Sequence, residues 1–358
     1  MKIKDILKDA NEKGYWVLPG LIDMHVHLRD PGLTHKENIF TGLRAAAAGG
    51  FTTVVTMANT SPVCDNERII KYQIKKAKRA KLGRLLPICA VTKDMDGKEL
   101  VTTKNFAYSD DGKQINNADI IESAMKQGMF IFTHYDDPEH SLIQRDIELA
   151  IKHNARLHIQ HVSTATSVEV IRNARKTHPH LITAEATPHH FTLTEDYIKT
   201  HNTSAKMSPP LRTAKDRNAV FKALQDGTIS CIATDHAPHT LEEKSVAYRD
   251  APNGIIGLET AVGLALTYLK LSKEQLTTLM HTNPAKILGL KNNSPLNRRG
   301  GAKRRGSFTI IDPNLEWTVD STNFHSKSNC QPYDGMRLKG KVLYTICKGR
   351  IIYGKIVS

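Results

Sequence analysis

Apolar runs of five or six residues recur along the first two-thirds of the chain, alternating with stretches whose apolar residues fall three or four apart. The runs at 21–26 (LIDMHV), 52–56 (TTVVT), 85–90 (LLPICA), 105–109 (NFAYS), 129–133 (MFIFT), 156–160 (RLHIQ), 181–185 (LITAE) and 229–234 (ISCIAT) read as strands. Helical spacing falls between them, at 36–50, 66–81, 117–127, 139–153, 164–177 and 213–226. The first of these ends on Gly49-Gly50, and Asp65 is placed to cap the second. Strands alternating with helices predict a parallel sheet, and eight such units in about 250 residues predict a closed (β/α)8 TIM barrel. Beyond residue 290 the helical period disappears. "SFTIIDPN", "WTVD" and "KVLYTICKGRIIYGKIVS" are β-type fragments separated by turns. The expected organisation is therefore a barrel over 19–295, with a small β domain built from 1–18 and 296–358.

The polar residues that interrupt this pattern gather at the ends of the runs. His25 and His27 follow the first, Asn59 the second, Asp110-Asp111 the fourth, His134 the fifth, His161 the sixth and Asp235 the eighth. A barrel carries its active site at the C-terminal ends of its strands, so this coincidence points to one site. Any single histidine among them would more often be a satisfied structural residue. His-x-His on a strand puts two imidazoles on one face, which suits zinc. Further histidines with a bridging carboxylate would hold a pair of divalent ions, which lower the pKa of water towards about 7. Asp235 is placed to move a proton between that water and a leaving nitrogen.

Composition adds little to this picture and removes several alternatives. Of 358 residues, 40% are hydrophobic and 24% charged, as in ordinary globular chains. No apolar run is long enough to span a membrane, and the N-terminal stretch "MKIKDILKDANEKGYW" lacks the apolar core of a secretory signal. Cys64, Cys89, Cys231, Cys330 and Cys347 are odd in number and unpatterned, as reduced thiols in a cytoplasmic protein would be. The net charge of +14 is concentrated in 71–84 and 298–305. Neither segment carries interleaved aromatics or a nucleic-acid motif, so both read as solvated surface rather than a contact for nucleic acid or an acidic partner.

The stretches "PGLIDMHVHLRDPG", "TMANT", "YSDDG", "QHVST", "EATPHH", "KMSPPLR", "IATDHAPH" and "APNGIIGLET" resemble the successive motifs of the bacterial-type (type I) dihydroorotases, within the cyclic amidohydrolases. The resemblance runs from about residue 17 to 290. It implies that His25, His27, Asp111 and Asp235 hold one zinc ion, and that Asp111, His134 and His161 hold a second, giving one or two per subunit with two favoured. It implies substrate contacts from His27, Arg29, Asn59, Ser208 and His239, and from the backbone at Asn253 and Gly254. The activity implied is reversible cyclisation of N-carbamoyl-L-aspartate to L-dihydroorotate in pyrimidine biosynthesis. Metal-bound hydroxide would attack the ring amide, with Asp235 as general acid and base. Aspartate transcarbamoylase is the protein partner implied, and a homo-oligomer, a dimer first, is the expected assembly.

The chain departs from the family at several points. Serine stands at 208 where asparagine is usual, and alanine at 58 where proline is usual. The stretch from "DDG" to His134 and the stretch before His25 are both short. Many relatives bridge their metals with a carboxylated lysine. Lys104 precedes its strand by too far, more than about 15 Å from the metals at 3.3 Å per residue. Asp111 is the expected bridge, with Asp110 behind it. Two rivals remain: an allantoinase or hydantoinase, whose substrates lack the carboxylate that Arg29 would bind, and a non-catalytic scaffold for the transcarbamoylase.

Overall fold

The computed structural model describes residues 2–136, 139–290 and 306–354, and it is α/β with parallel strands. The first strand, β1 (Trp16–Pro19), belongs to an antiparallel sheet described below. β2 (Leu21–Val26), β3 (Phe51–Thr56) and β4 (Arg84–Pro87) form one parallel sheet. A second parallel sheet contains β5 (Ile131–Thr133), β6 (Leu157–Ile159), β7 (Ile182–Ala186) and β8 (Cys231–Ile232). Single parallel bridges run from Cys89 to Tyr108 and from Tyr108 to Ile131, and Val26 pairs with His236 just past β8. The run 105–109, expected to be a strand, is reduced to that one residue at Tyr108. Ala107 and Ser109 on either side still bond the Cys89 backbone, and further back the Asn105 amide N–H donates to the Tyr108 hydroxyl at 2.7 Å.

The helices start and stop for local reasons. The helix Ile39–Ala48 begins where the Asn38 side chain accepts from the Phe40 and Thr41 amides. It ends at Gly49-Gly50, where Gly50 has φ +91 and a Cβ on Gly49 would lie 2.1 Å from the Leu258 carbonyl oxygen. Asn66, not Asp65, caps the helix Glu67–Ala80. Asp65 instead accepts from the Asn66 side chain and the Asp94 amide. On this helix Lys71, Lys75, Lys78 and Arg79 are exposed, as a solvated face requires. The basic segment 298–305 lies outside the described residues.

The antiparallel sheet has the order β1, β9 (Phe308–Thr318), β10 (Arg337–Cys347) and β11 (Arg350–Gly354). It pairs β1 with β9, while most of the segment before β1 is a helix, Ile3–Glu12, which buries Ile6 and Ala10 against Phe308, Ile310 and Ile346. All five cysteines are buried and free. Among the described residues no helix is long and apolar enough to cross a membrane.

Asp23 ties the start of the parallel run to its end. Fully buried, its Oδ1 accepts from the Thr234 and His25 amides, each at 3.1 Å, and its Oδ2 from the Thr234 hydroxyl at 2.6 Å. Asp23→Ala would strand these donors out of reach of water. A loss of at least about 2 kcal/mol of stability is expected, read from the urea midpoint. An unchanged midpoint would show that the link carries no weight.

Candidate active site

Alternation along the strands decides which side chains reach the site. Val55 and Met57, Phe130 and Phe132, and Cys231 and Ala233 belong to one buried apolar cluster with Ile22 and Met24. Two residues further on in each series come Asn59, His134 and Asp235, all of which line a cavity of about 300 Å³. Pairing of β2 with β3 shifts between Asp23 and Val26. An irregularity of this kind re-aims side chains. Here His25 and His27 both turn to the donor cluster although Met24 packs in the apolar layer. Arg29, His161 and Asp235 have φ of 56, 30 and 47, a backbone region that non-glycine residues avoid and that clusters at functional sites.

The expected metal-competent residues converge on Asp111. Its Oδ1 lies 3.3 Å from His25 Nε2, 3.3 Å from His134 Nδ1 and 3.5 Å from His161 Nε2, and its Oδ2 lies 3.2 Å from His27 Nε2. Asp235 Oδ1 is 3.0 Å from His27 Nε2 and 3.4 Å from His25 Nε2. Ligands about 2.0–2.1 Å from a tetrahedral zinc ion stand roughly 3.4 Å from one another, so the spacings fit a metal. His25 Nε2 and Asp111 Oδ1 are moreover buried without a hydrogen-bond partner. Two sets of donors, His25 with His27 and Asp235, and His25 with Asp111 and His161, are close enough to share an ion each. Burial alone would raise the Asp111 and Asp235 carboxyls. His25, with His134 and His161 around Asp111 and His27 beside Asp235, instead holds both well below the usual range. Burial pushes His134 down, but Asp111 and Asp136 lift it to about 9.

Behind these residues sits a layer that sequence reading missed. Glu185, at the end of β7, accepts from His25 Nδ1 at 2.7 Å and lies 3.1 Å from His158 Nε2. Asn59 Oδ1 is 2.8 Å from His27 Nδ1, and Asn59 Nδ2 donates to the Asp111 carbonyl at 3.2 Å. The bonds to His25 Nδ1 and His27 Nδ1 fix those two rings and leave their Nε2 atoms to face the cluster. Asn59, expected to touch substrate, thus lines the cavity with its amide already committed. Glu185 was signalled only by its place at a strand end, in "EATPHH". Asp110 faces away and takes the Val91 and Thr92 amides.

The cavity also contains Arg29, Ser208, His239, Asn253 and Gly254 in its lining, which does not include His25 or His161. Arg29 is 8% exposed. It donates from Nε to the Pro238 carbonyl at 3.2 Å and lies 3.2 Å from His239 Nε2, paired with neither Asp30 nor Glu37. His239 Nε2 is 2.9 Å from the Asn253 carbonyl oxygen. Ser208 is hydrogen-bonded to Asp136, a half-exposed carboxylate of the lining that sequence reading did not single out. His189 and His190 are buried beside one another; His190 bonds Thr187 and the Pro209 carbonyl.

Residues 14–172 match the family model described as "Dihydro-orotase-like". A dihydroorotase of Citrifermentans bemidjiense is 42% identical over 379 residues, covering 95% of this chain and 88% of that protein. One from Clostridioides difficile is 40% identical, covering 97% and 90%. Among solved structures, an L-hydantoinase from Arthrobacter aurescens has a TM-score of 0.85 at 22% identity, over 98% of this chain and 88% of its own. A dihydropyrimidinase from Brevibacillus agri reaches 0.76 at 20%, over 95% and 85%.

Asp111→Ala removes the acceptor on which four imidazoles converge, and is expected to lower bound metal by at least one equivalent per chain. Lys104→Ala, on an exposed loop, is expected to leave metal content unchanged. Metal analysis of the two purified variants decides, and equal content in both would remove Asp111 from the metal site.

Proposed function

The chain belongs to the dihydroorotase family and is a hydrolase of cyclic amides, and we propose that its pocket interconverts L-dihydroorotate and N-carbamoyl-L-aspartate. The observation that carries this reading is a buried guanidinium, Arg29, in the wall of a cavity floored by histidines and aspartates. A ring carboxylate is the group such a cation selects, because guanidinium and carboxylate match as a two-pronged pair. The parallel run that returns to β2 through His236 supports a closed (β/α)8 barrel over 19–295. The sheet of β1 and β9–β11 supports a second, smaller domain.

Zinc suits the donor set. His25, His27, Asp111 and Asp235 would hold one ion, and Asp111, His134 and His161 a second. Bound there, divalent zinc polarises a carbonyl and makes water a ready nucleophile near neutral pH. The rest falls to the chain. Arg29, with His239 beside it, holds the substrate carboxylate, and Asn253 and Gly254 form the facing wall. Ser208, shorter than the usual asparagine, reaches substrate through water. Asp235 is ionised and sits at the cavity floor. It takes the proton of the attacking water and hands it to the ring nitrogen as the amide C–N bond breaks. Ring closure runs the same transfers in reverse. Buried free thiols support a reducing compartment, the cytoplasm. A homodimer working beside aspartate transcarbamoylase completes the reading.

Hydantoin and allantoin lack the carboxylate, so they separate this reading from that of another cyclic amidohydrolase. Dihydroorotate is expected to be turned over at least about a hundredfold better than either; a preference for hydantoin would refute the substrate assignment. Arg29→Lys, which cannot form the paired contact, is expected to weaken dihydroorotate binding with little effect on any residual hydantoin turnover. Asp235→Asn keeps the shape but cannot carry the proton, so a loss of about 10²–10⁴ in kcat is expected from the proton transfer alone. Near-normal kcat in that variant would strip Asp235 of the role.

A further inference from the structure

Lys206 and Lys244 bind backbone carbonyls rather than acids. Lys244, 3% exposed, closes the short helix Leu241–Lys244. Its ammonium lies 3.2, 2.9 and 2.8 Å from the carbonyl oxygens of Lys206, Pro252 and Gly254. The Lys206 ammonium lies 2.6, 2.9 and 2.7 Å from those of Tyr248, Arg249 and Ala251. Between them the two cations gather five carbonyls from the single loop 248–254. The Lys206 carbonyl also accepts the Gly254 amide at 2.9 Å, so Lys206 fastens as well the end of the loop that Lys244 holds. Neither forms an ion pair with a carboxylate among the described residues. Burial, and then the neighbouring Lys206, draw Lys244 down to about 8, which still leaves it charged near neutrality.

This arrangement resists change. Rotating a peptide unit of the loop would leave a buried ammonium short of acceptors, which is costly where water cannot replace them. The far end is pressed equally hard. Gly254 has φ +133, and a Cβ there would lie 2.5 Å from the Ala237 carbonyl oxygen, so the loop packs directly on the strand end that carries Asp235.

We propose that Lys206 and Lys244 are positioning residues that clamp loop 248–254, so that Asn253 and Gly254 present a rigid wall to the substrate ring. The effect on substrate rests on the dihydroorotase reading of the pocket; the clamp itself does not. In Lys244→Met, KM for dihydroorotate is expected to rise about tenfold or more while kcat stays within about threefold. Amide hydrogen exchange across 248–254, measured without substrate, is expected to quicken at least about tenfold. Lys206→Met is the safer variant, because that ammonium is only partly buried, and Lys206→Arg is expected to restore KM in large part. Unchanged exchange in both methionine variants overturns the clamp. Faster exchange with an unchanged KM overturns the positioning role. Faster exchange in a protein whose unmutated form ignores dihydroorotate supports the clamp and overturns the substrate reading.

Discussion

Everything at the C-terminal ends of the strands is arranged around one buried carboxylate. Asp111 is 3% exposed, and four imidazoles from three different parts of the chain stand within 3.5 Å of it. Two carboxylates and four imidazoles cannot be taken out of water in this way without matched charge. With protein groups alone, that match comes from protons drawn onto His25 and His134. A divalent ion supplies it more directly, and its requirement for unprotonated imidazole Nε2 or Nδ1 explains why the opposite ring nitrogens are bound to Glu185 and Asn59.

The geometry above that cluster depends on backbone held in place by side chains. Three residues of the site have left-handed φ values, and such strain persists only where the surroundings over-determine it. Asp23 fastens the peptide before Asp235, and Arg29 is anchored to the Pro238 carbonyl. Loop 248–254 has almost no regular structure, and its shape is set by two ammonium groups instead of a ladder. The part of the cavity lining that Asn253 and Gly254 supply is thus held by side chains rather than by a helix or strand of its own.

Much of this was legible in the sequence. The alternation of apolar runs and helical spacing located seven of the parallel strands within a few residues, because burial on both faces leaves an unmistakable pattern. The strand ends gave His25, His27, Asp111, His134, His161 and Asp235, and the structure brings all six together. What escaped was whatever depends on a partner far away in the chain. The run 105–109 looked like a full strand, but its ladder is confined to the residues around Tyr108, and before it side-chain bonds from Asn105 and Tyr108 hold the chain. The first residues formed a helix where β structure was expected, because Ile6 and Ala10 could be buried against β9 and β10. Asn59 was expected on substrate and is turned to His27. Glu185 had only its place at a strand end to signal it, and Lys206 and Lys244 have no signature until the backbone places them.

The central claim is that the charge at Asp111 is matched by metal and that the matched site is the one that reacts. Chelation followed by stepwise return of zinc, with metal content and dihydroorotate turnover read on the same sample, tests it directly. The account requires that turnover vanish with the metal and return as one to two equivalents per chain are bound. Full turnover by protein with no detectable metal would contradict it.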